Sequence, residues 1–164
     1  MTKQPGSTDA VVIERHVDAP VELVWQMWTV PEHFAAWYGP GGASVSVSEM
    51  DVRVGGRRLV GMQVDTPQGT RQMWFAGEFR EVVENKRLVY TDAMSDEHGN
   101  VAPSGAEVGD SHATTEVHVE LDDVDGRTRM VLTHIGIPSD SPGAAGWAVA
   151  LDKFAALVAR LSEA

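Results

Sequence analysis

His134 is the side chain in this sequence whose type and position best suit chemistry inside a folded protein. It shares one face of a predicted strand with Met130 and Leu132. The other face of that strand carries Val131 and Ile135, so the imidazole is expected to be buried. There it would be a hydrogen-bonded core residue, which is the interpretation we favour, or a group that contacts a ligand or transfers a proton.

Glu116, His118 and Glu120 form a second candidate group, because they alternate along another predicted strand and share one face of it. Imidazole and carboxylate groups placed in this way could ligate zinc. The same strand carries apolar residues at the alternate positions from Val117 to Leu121. That alternation is typical of a strand with one buried and one solvated face, so we expect no metal here.

Signatures of catalysis are otherwise absent from the sequence. There is no Gly-x-Ser-x-Gly elbow, no phosphate-binding glycine loop and no His-Glu-x-x-His helix. We therefore assign no catalytic residue and expect no cofactor. An arginine directed inward could hold the carboxylate of a ligand, although solvation at the surface is the commoner outcome. The candidates are Arg53, Arg57, Arg58, Arg71 and Arg80.

Composition limits the class of protein. A chain of 164 residues is about one domain, and its net charge of −11 would repel phosphate backbones and anionic lipid. It has no cysteine and no apolar stretch long enough to span a membrane. We expect a disordered polar tail at residues 1–9, a single domain at residues 10–164, a cytoplasmic location, and neither nucleic acid nor membrane as a partner.

The carboxy-terminal stretch from 139 to 164 predicts one long helix. Ser141 is a candidate N-cap, and Pro142 suits the first helical position. Apolar side chains recur along one helical face at steps of four and three residues. They are Trp147, Leu151, Phe154, Val158 and Leu161.

Most of the remaining chain predicts strands. A strand from Val11 to Val17 leads into two short helices, which begin at Pro20 and Pro31. Six segments with a period of two follow: Ser44 to Arg53, Arg57 to Asp65, Arg71 to Val83, Arg87 to Met94, Thr114 to Leu121, and Thr128 to Ile135. These elements predict an α+β protein with seven antiparallel strands closed off by the long helix. Residues 95–111 form a long polar connection, either a lid at the mouth of a cavity or an unstructured loop.

Aromatic and methionine side chains are frequent enough to line an apolar cavity between sheet and helix. Core packing is the more common role for each of them taken alone. The residues that we expect to line the cavity and bind a ligand are Phe34, Trp37, Phe75, Tyr90, His134, Trp147 and Phe154.

Several motifs resemble those of a known family, in the same order along the chain. They are Val17-Asp18-Ala19-Pro20, Trp37-Tyr38-Gly39-Pro40, Asp51-Val52-Arg53-Val54-Gly55-Gly56, Glu84 to Tyr90, Asp96-Glu97-His98-Gly99-Asn100-Val101, Leu132-Thr133-His134 and Gly146-Trp147. The element order resembles the helix-grip fold of the START-like (SRPBCC) superfamily. The motifs resemble homologues of the activator of the 90-kDa heat-shock protein ATPase, of the single-domain bacterial type. This resemblance implies a curved sheet that wraps the last helix around a cavity.

Three functions are compatible with that fold. The leading hypothesis is a carrier or sensor that binds a small hydrophobic or aromatic molecule in the cavity. A second is an enzyme of the aromatase or cyclase kind, in which His134, Tyr90 or an arginine would act as general acid or base. A third is a module that binds a chaperone through an acidic outer sheet face carrying Glu78, Glu81, Glu116 and Glu120. A homodimer is compatible with each of them.

Overall fold

The computed structural model describes residues 10–39, 43–100, 114–137 and 142–162. The predicted tail at 1–9, the candidate cap Ser141 and most of the connection at 95–111 lie outside these residues. In chain order the elements are β1 (Ala10–Val17), α1 (Val21–Thr29), α2 (Pro31–Trp37), β2 (Ser44–Met50), β3 (Arg57–Thr66), β4 (Gly69–Val83), β5 (Arg87–Ser95), β6 (Thr115–Val124), β7 (Arg127–Ile135) and α3 (Pro142–Ser162).

The seven strands form one curved antiparallel sheet in the order β1-β7-β6-β5-β4-β3-β2. Consecutive strands from β2 to β7 are neighbours, so the sheet is a meander, and β1 joins it beside β7. In the register of the sheet, His134 of β7 pairs with Val11 of β1 on one side and with Val117 of β6 on the other. The predicted α+β helix-grip architecture is confirmed.

Each helix buries the face that its apolar spacing predicts. In α1 the buried residues include Val24 and Trp28, and α2 begins at Pro31, whose fixed φ suits a first helical turn. Leu151 and Phe154 of α3 are 2% and 1% exposed, and they join residues of α1, α2 and the sheet in one hydrophobic core.

The β6–β7 hairpin differs in one detail from the sequence-based expectation. The predicted strand ended at Leu121, whereas β6 continues to Val124. The turn needs only Asp125 and Gly126, whose φ angles are +55° and +85°. Two successive residues with positive φ form the tight hairpin turn that matches the twist of the strands, so pairing continues to the turn itself.

Gly77 permits an unusually close approach of β4 and β5. A Cβ atom at this position would lie 1.8 Å from the carbonyl oxygen of Thr91. Nearby, the backbone N–H of Glu78 donates to the Thr91 hydroxyl at 3.0 Å. The next residue of β5 is Asp92, so this contact helps to set the position of a buried carboxylate.

Replacement of Gly77 by alanine should therefore destabilise the protein. The new methyl group meets backbone, which cannot rotate away, and the expected loss in the free energy of unfolding is about 2 kcal/mol or more. Urea unfolding of Gly77→Ala measures this loss. Gly146→Ala in α3 is the control, since a Cβ there meets no atom within 4 Å. It should leave stability unchanged or raise it by up to about 1 kcal/mol. Equal effects of the two variants would contradict the close approach.

Candidate functional site

An aromatic cluster joins the three helices in the core next to the site. The Trp37 ring lies 4.8 Å from that of Trp28 and 4.9 Å from that of Phe154, both with edge-on geometry. Its indole Nε1 donates to the carbonyl oxygen of Met27 at 2.8 Å. Phe34 packs against Trp37 at 5.3 Å. These rings fix the relative positions of α1, α2 and α3.

A buried ion pair lies between this cluster and the sheet. Nη1 of Arg58, on β3, donates to Oδ1 of Asp92, on β5, at 3.0 Å, with side-chain exposures of 1% and 10%. The guanidinium also lies over the ring of Tyr90, 3.9 Å from its centroid, and 5.4 Å from that of Phe34. Burial raises the pKa of Asp92, while Arg58 opposes this shift. Arginine stays protonated, and its charge and its hydrogen bond favour the ionised form of the Asp92 carboxyl.

Several polar atoms around the ion pair have no hydrogen-bond partner among the described residues. They are Nε and Nη2 of Arg58 and the hydroxyl of Tyr90, all of them buried. Burial raises the pKa of Tyr90, so its hydroxyl stays protonated and is a donor at neutral pH. The core therefore holds buried donors at this point that no described acceptor satisfies.

His134 belongs to a continuous hydrogen-bonded chain that anchors α3 to the sheet. Nε1 of Trp147 donates to Nδ1 of His134 at 2.8 Å. An indole N–H can only donate, so Nδ1 must be unprotonated and the neutral ring carries its proton on Nε2. That N–H donates to the hydroxyl of Thr115 at 2.8 Å, which in turn donates to the carbonyl oxygen of Asp92 at 3.1 Å. Burial and, to a smaller extent, the positive charge of Arg58 lower the pKa of His134 to about 4.

A pocket of about 450 Å³ lies between the sheet and α3. Its volume is within the range of small-molecule sites, about 300–1,000 Å³. Most of the lining is apolar, and Asp92 and His134 contribute polar groups. The lining residues are Tyr38, Gly39, Met62, Met73, Phe75, Asp92, His134, Ile137, Gly146, Trp147 and Ala150. Of two other depressions, one is lined mainly by charged and polar residues and the other by small residues with Arg57 and Glu78, so the pocket beside α3 suits a small apolar ligand best.

The residues that the sequence predicted as lining fall into two groups. Phe75, His134 and Trp147 line the pocket. Phe34, Trp37, Tyr90 and Phe154 are at most 1% exposed and belong to the packed core next to it. A ligand contact by those four remains a prediction.

Other lining residues were missed by the sequence analysis. Met62 and Met73 pair across β3 and β4, and their alternation with outward residues was a usable signal. Asp92 and Ala150 gave no such signal. A single acid in an apolar strand, or an alanine in a long helix, does not by itself indicate a pocket.

Among the candidate arginines, Arg58 is the one that points inward, and it pairs with Asp92. Arg53 and Arg57 keep side-chain exposures of 73% and 57%. Arg71 and Arg80 are likewise exposed. The carboxylate that neutralises Arg58 thus comes from the protein.

The outer sheet face holds a network of ion pairs. Arg87 donates to Glu81 at 2.9 Å and also binds Glu120. His118 accepts from Arg87 and bonds Glu116 at 2.8 Å. Within the described part of the chain, no group of three or more His, Asp or Glu side chains is arranged to hold a metal ion.

The arrangement of the sheet, the helices and the pocket defines a class of protein. A curved seven-stranded antiparallel sheet grips a long carboxy-terminal helix, with two short helices after the first strand and a pocket between the layers. This is the helix-grip fold of START-like proteins. None of the described helices is long and apolar enough to cross a membrane.

The chain belongs to the family described as Activator of Hsp90 ATPase homolog 1-like protein, whose sequence profile matches residues 18–159. A comparison with curated proteins finds no match.

Solved bacterial structures share the fold. A protein of Arthrobacter aurescens superposes with a TM-score of 0.77 at 24% identity, covering 96% of this chain and 90% of its own. Protein Ms6760 of Mycobacterium smegmatis superposes with a TM-score of 0.74 at 23% identity, covering 95% of this chain and 94% of its own. For protein CV1439 of Chromobacterium violaceum the TM-score is 0.73 at 25% identity, and the match covers 92% of this chain and 97% of that protein.

The buried histidine predicts a specific dependence of stability on pH. In the unfolded chain His134 takes up a proton near pH 6.5, whereas in the folded protein it does so only near pH 4. The stability due to the neutral ring is therefore present above pH 6.5 and is lost as the pH falls towards 4. Between pH 7 and pH 5 the loss should be about 2 kcal/mol. Urea unfolding at both pH values measures this loss.

The variant His134→Asn should remove this pH-dependent component of stability, and the surface variant His16→Asn should keep it. An unchanged pH slope in His134→Asn would contradict the assignment.

The ion pair predicts strong coupling between two strands that are not neighbours. Arg58→Met leaves Asp92 buried without its counter-charge and should cost about 3–5 kcal/mol in the free energy of unfolding. The double variant Arg58→Met, Asp92→Leu should cost much less than the sum of its single variants. Arg53→Met is the matched control, since its pair with Asp51 is exposed, and its effect should stay within about 0.5 kcal/mol. Additive single effects would exclude coupling between the pair.

Proposed function

We propose that this protein binds a small hydrophobic or aromatic molecule in the pocket between the sheet and α3, as a carrier or sensor. The observation that carries the proposal is the pocket of about 450 Å³, lined by Met62, Met73, Phe75 and Trp147 together with few polar groups. Methionine and aromatic side chains adapt to flat apolar guests. Membership of the family supports a cavity fold but does not specify a ligand.

The arrangement of the polar groups favours binding over catalysis. Both ring nitrogens of His134 are engaged, and the pKa of about 4 keeps the ring neutral at physiological pH. Proton transfer by His134 would require the bond that anchors Trp147, or the bond to Thr115, to break. The hydroxyl of Tyr90 is buried outside the pocket lining, and its raised pKa keeps it protonated at neutral pH, so it is a weak acid and has no phenolate to act as a base.

Binding to a chaperone through the outer sheet face has less support. Of the four acidic residues expected there, Glu81 and Glu120 both form ion pairs with Arg87, and Glu116 bonds His118. A basic partner would have to compete with these internal pairs. We keep the cytoplasmic location as part of the proposal, on the basis of the cysteine-free composition.

Filling the pocket should abolish binding. Ala150 is 2% exposed and lines the pocket from α3, so Ala150→Phe places a ring in the space of the ligand. Ala155 lies on the exposed side of the same helix, and Ala155→Phe is the matched control. A neutral dye, N-phenyl-1-naphthylamine, should become fluorescent with the unaltered protein and with Ala155→Phe, and at least about tenfold less so with Ala150→Phe.

Native mass spectrometry of the freshly purified protein, before and after denaturation, provides a second measurement. We expect a small apolar adduct that denaturation removes. Equal dye binding by Ala150→Phe and the unaltered protein, with no adduct in the mass spectrum, would contradict the proposed function.

A further inference from the structure

The pocket presents a very restricted set of polar groups to a ligand. Asp92 and Tyr38 line it together with His134. Both ring nitrogens of His134 are already hydrogen-bonded, since Nδ1 accepts from the indole of Trp147 and Nε2 donates to the hydroxyl of Thr115. Any polar group of a ligand must therefore be recognised mainly by Asp92 and Tyr38.

One oxygen of Asp92 remains available. Oδ1 accepts from Arg58, whereas Oδ2 has no hydrogen bond to any described residue. The side chain keeps 10% exposure at the pocket wall. A carboxylate oxygen in an apolar pocket is a strong acceptor, and it is costly to leave without a donor. The ligand is thus expected to supply a donor.

Tyr38 supplies a second group beside this oxygen. Its ring stacks on Phe34 at 4.5 Å and meets Trp147 edge-on at 5.8 Å, so its position is fixed by both neighbouring helices. The charge of Asp92 adds to the effect of burial in raising the pKa of Tyr38, which is consistent with the two groups lying close together. A protonated phenol can donate to an incoming oxygen.

The charge balance selects among ligand head groups. Arg58 lies 3.0 Å from Asp92 and already neutralises its charge. A cationic head group would therefore find no unpaired negative charge in the apolar pocket, and its burial would be costly. A ligand carboxylate would face Asp92, because the free guanidinium nitrogens of Arg58 are sealed in the core. Like charges at this distance repel. A neutral group that both donates and accepts avoids both costs.

We propose that the ligand is a neutral, flat apolar molecule with one hydroxyl group, which donates to Oδ2 of Asp92 and accepts from the hydroxyl of Tyr38. This inference rests on the proposed binding function and specifies its ligand class. The apolar body lies among Met62, Met73, Phe75 and Trp147.

A matched series of naphthalenes tests the inference by isothermal titration calorimetry on the full chain. The four probes are naphthalene, 2-naphthol, 2-methoxynaphthalene and 2-naphthoate. We expect 2-naphthol to bind at least about tenfold more tightly than the other three, because it alone is a neutral donor. Tyr38→Phe should weaken the binding of 2-naphthol several-fold and leave that of naphthalene unchanged. These measurements do not depend on Asp92→Asn, which could fail to fold with Arg58 unpaired.

The possible outcomes separate this inference from the proposed function. Equal affinities for 2-naphthol and 2-methoxynaphthalene would overturn the inference and leave apolar binding intact. Tightest binding of 2-naphthoate would also overturn it, and would point to recognition by Arg58. Absence of binding by all four probes, together with no native adduct, would overturn both the inference and the proposed function.

Discussion

The buried pair of Arg58 and Asp92 is the constraint on which the interior of this protein depends. A guanidinium that is 1% exposed must have a carboxylate in reach, since an unpaired charge in the core costs several kcal/mol. Asp92 reaches it across the intervening strand β4. The face of Tyr90 covers the cation, and Gly77 lets β4 approach β5 beside the acid. The ion pair, the close spacing of β4 and β5 and the packing of the Tyr90 ring thus meet at one place.

The long helix is held to this polar centre by a relay of hydrogen bonds. Trp147 bonds His134, His134 bonds Thr115, and Thr115 bonds the backbone of Asp92. The relay and the aromatic cluster hold α3 over the sheet at separate points along its length. The small residues Gly146, next to Trp147, and Ala150, between Trp147 and Phe154, line the pocket and leave it open. The pocket therefore follows from how the helix is anchored.

This arrangement also explains why so many polar side chains lie near an apolar pocket without an evident catalytic group. Most of them are engaged in holding the fold, including both nitrogens of His134 and one oxygen of Asp92. Under the proposed function, what remains for a ligand is Oδ2 of Asp92 and the phenol of Tyr38. A site of this kind discriminates between head groups of an otherwise apolar molecule, which suits binding and sensing.

The sequence by itself determined the architecture, because alternation and helical spacing are local properties of the chain. The strands, the two short helices and the amphipathic face of α3 were all readable, and so was the burial of His134. The family motifs gave the same fold.

The tertiary structure decided the site. Five arginines looked alike in sequence, and only the pairing of β3, β4 and β5 showed that Arg58 meets Asp92. Likewise, Trp37 and Trp147 both looked like lining residues, yet Trp37 packs in the core and Trp147 lines the pocket. Parity along a strand or helix tells which face a residue occupies. It does not tell whether the opposing layer fills the space there or leaves it open, since that depends on contacts between residues far apart in the chain.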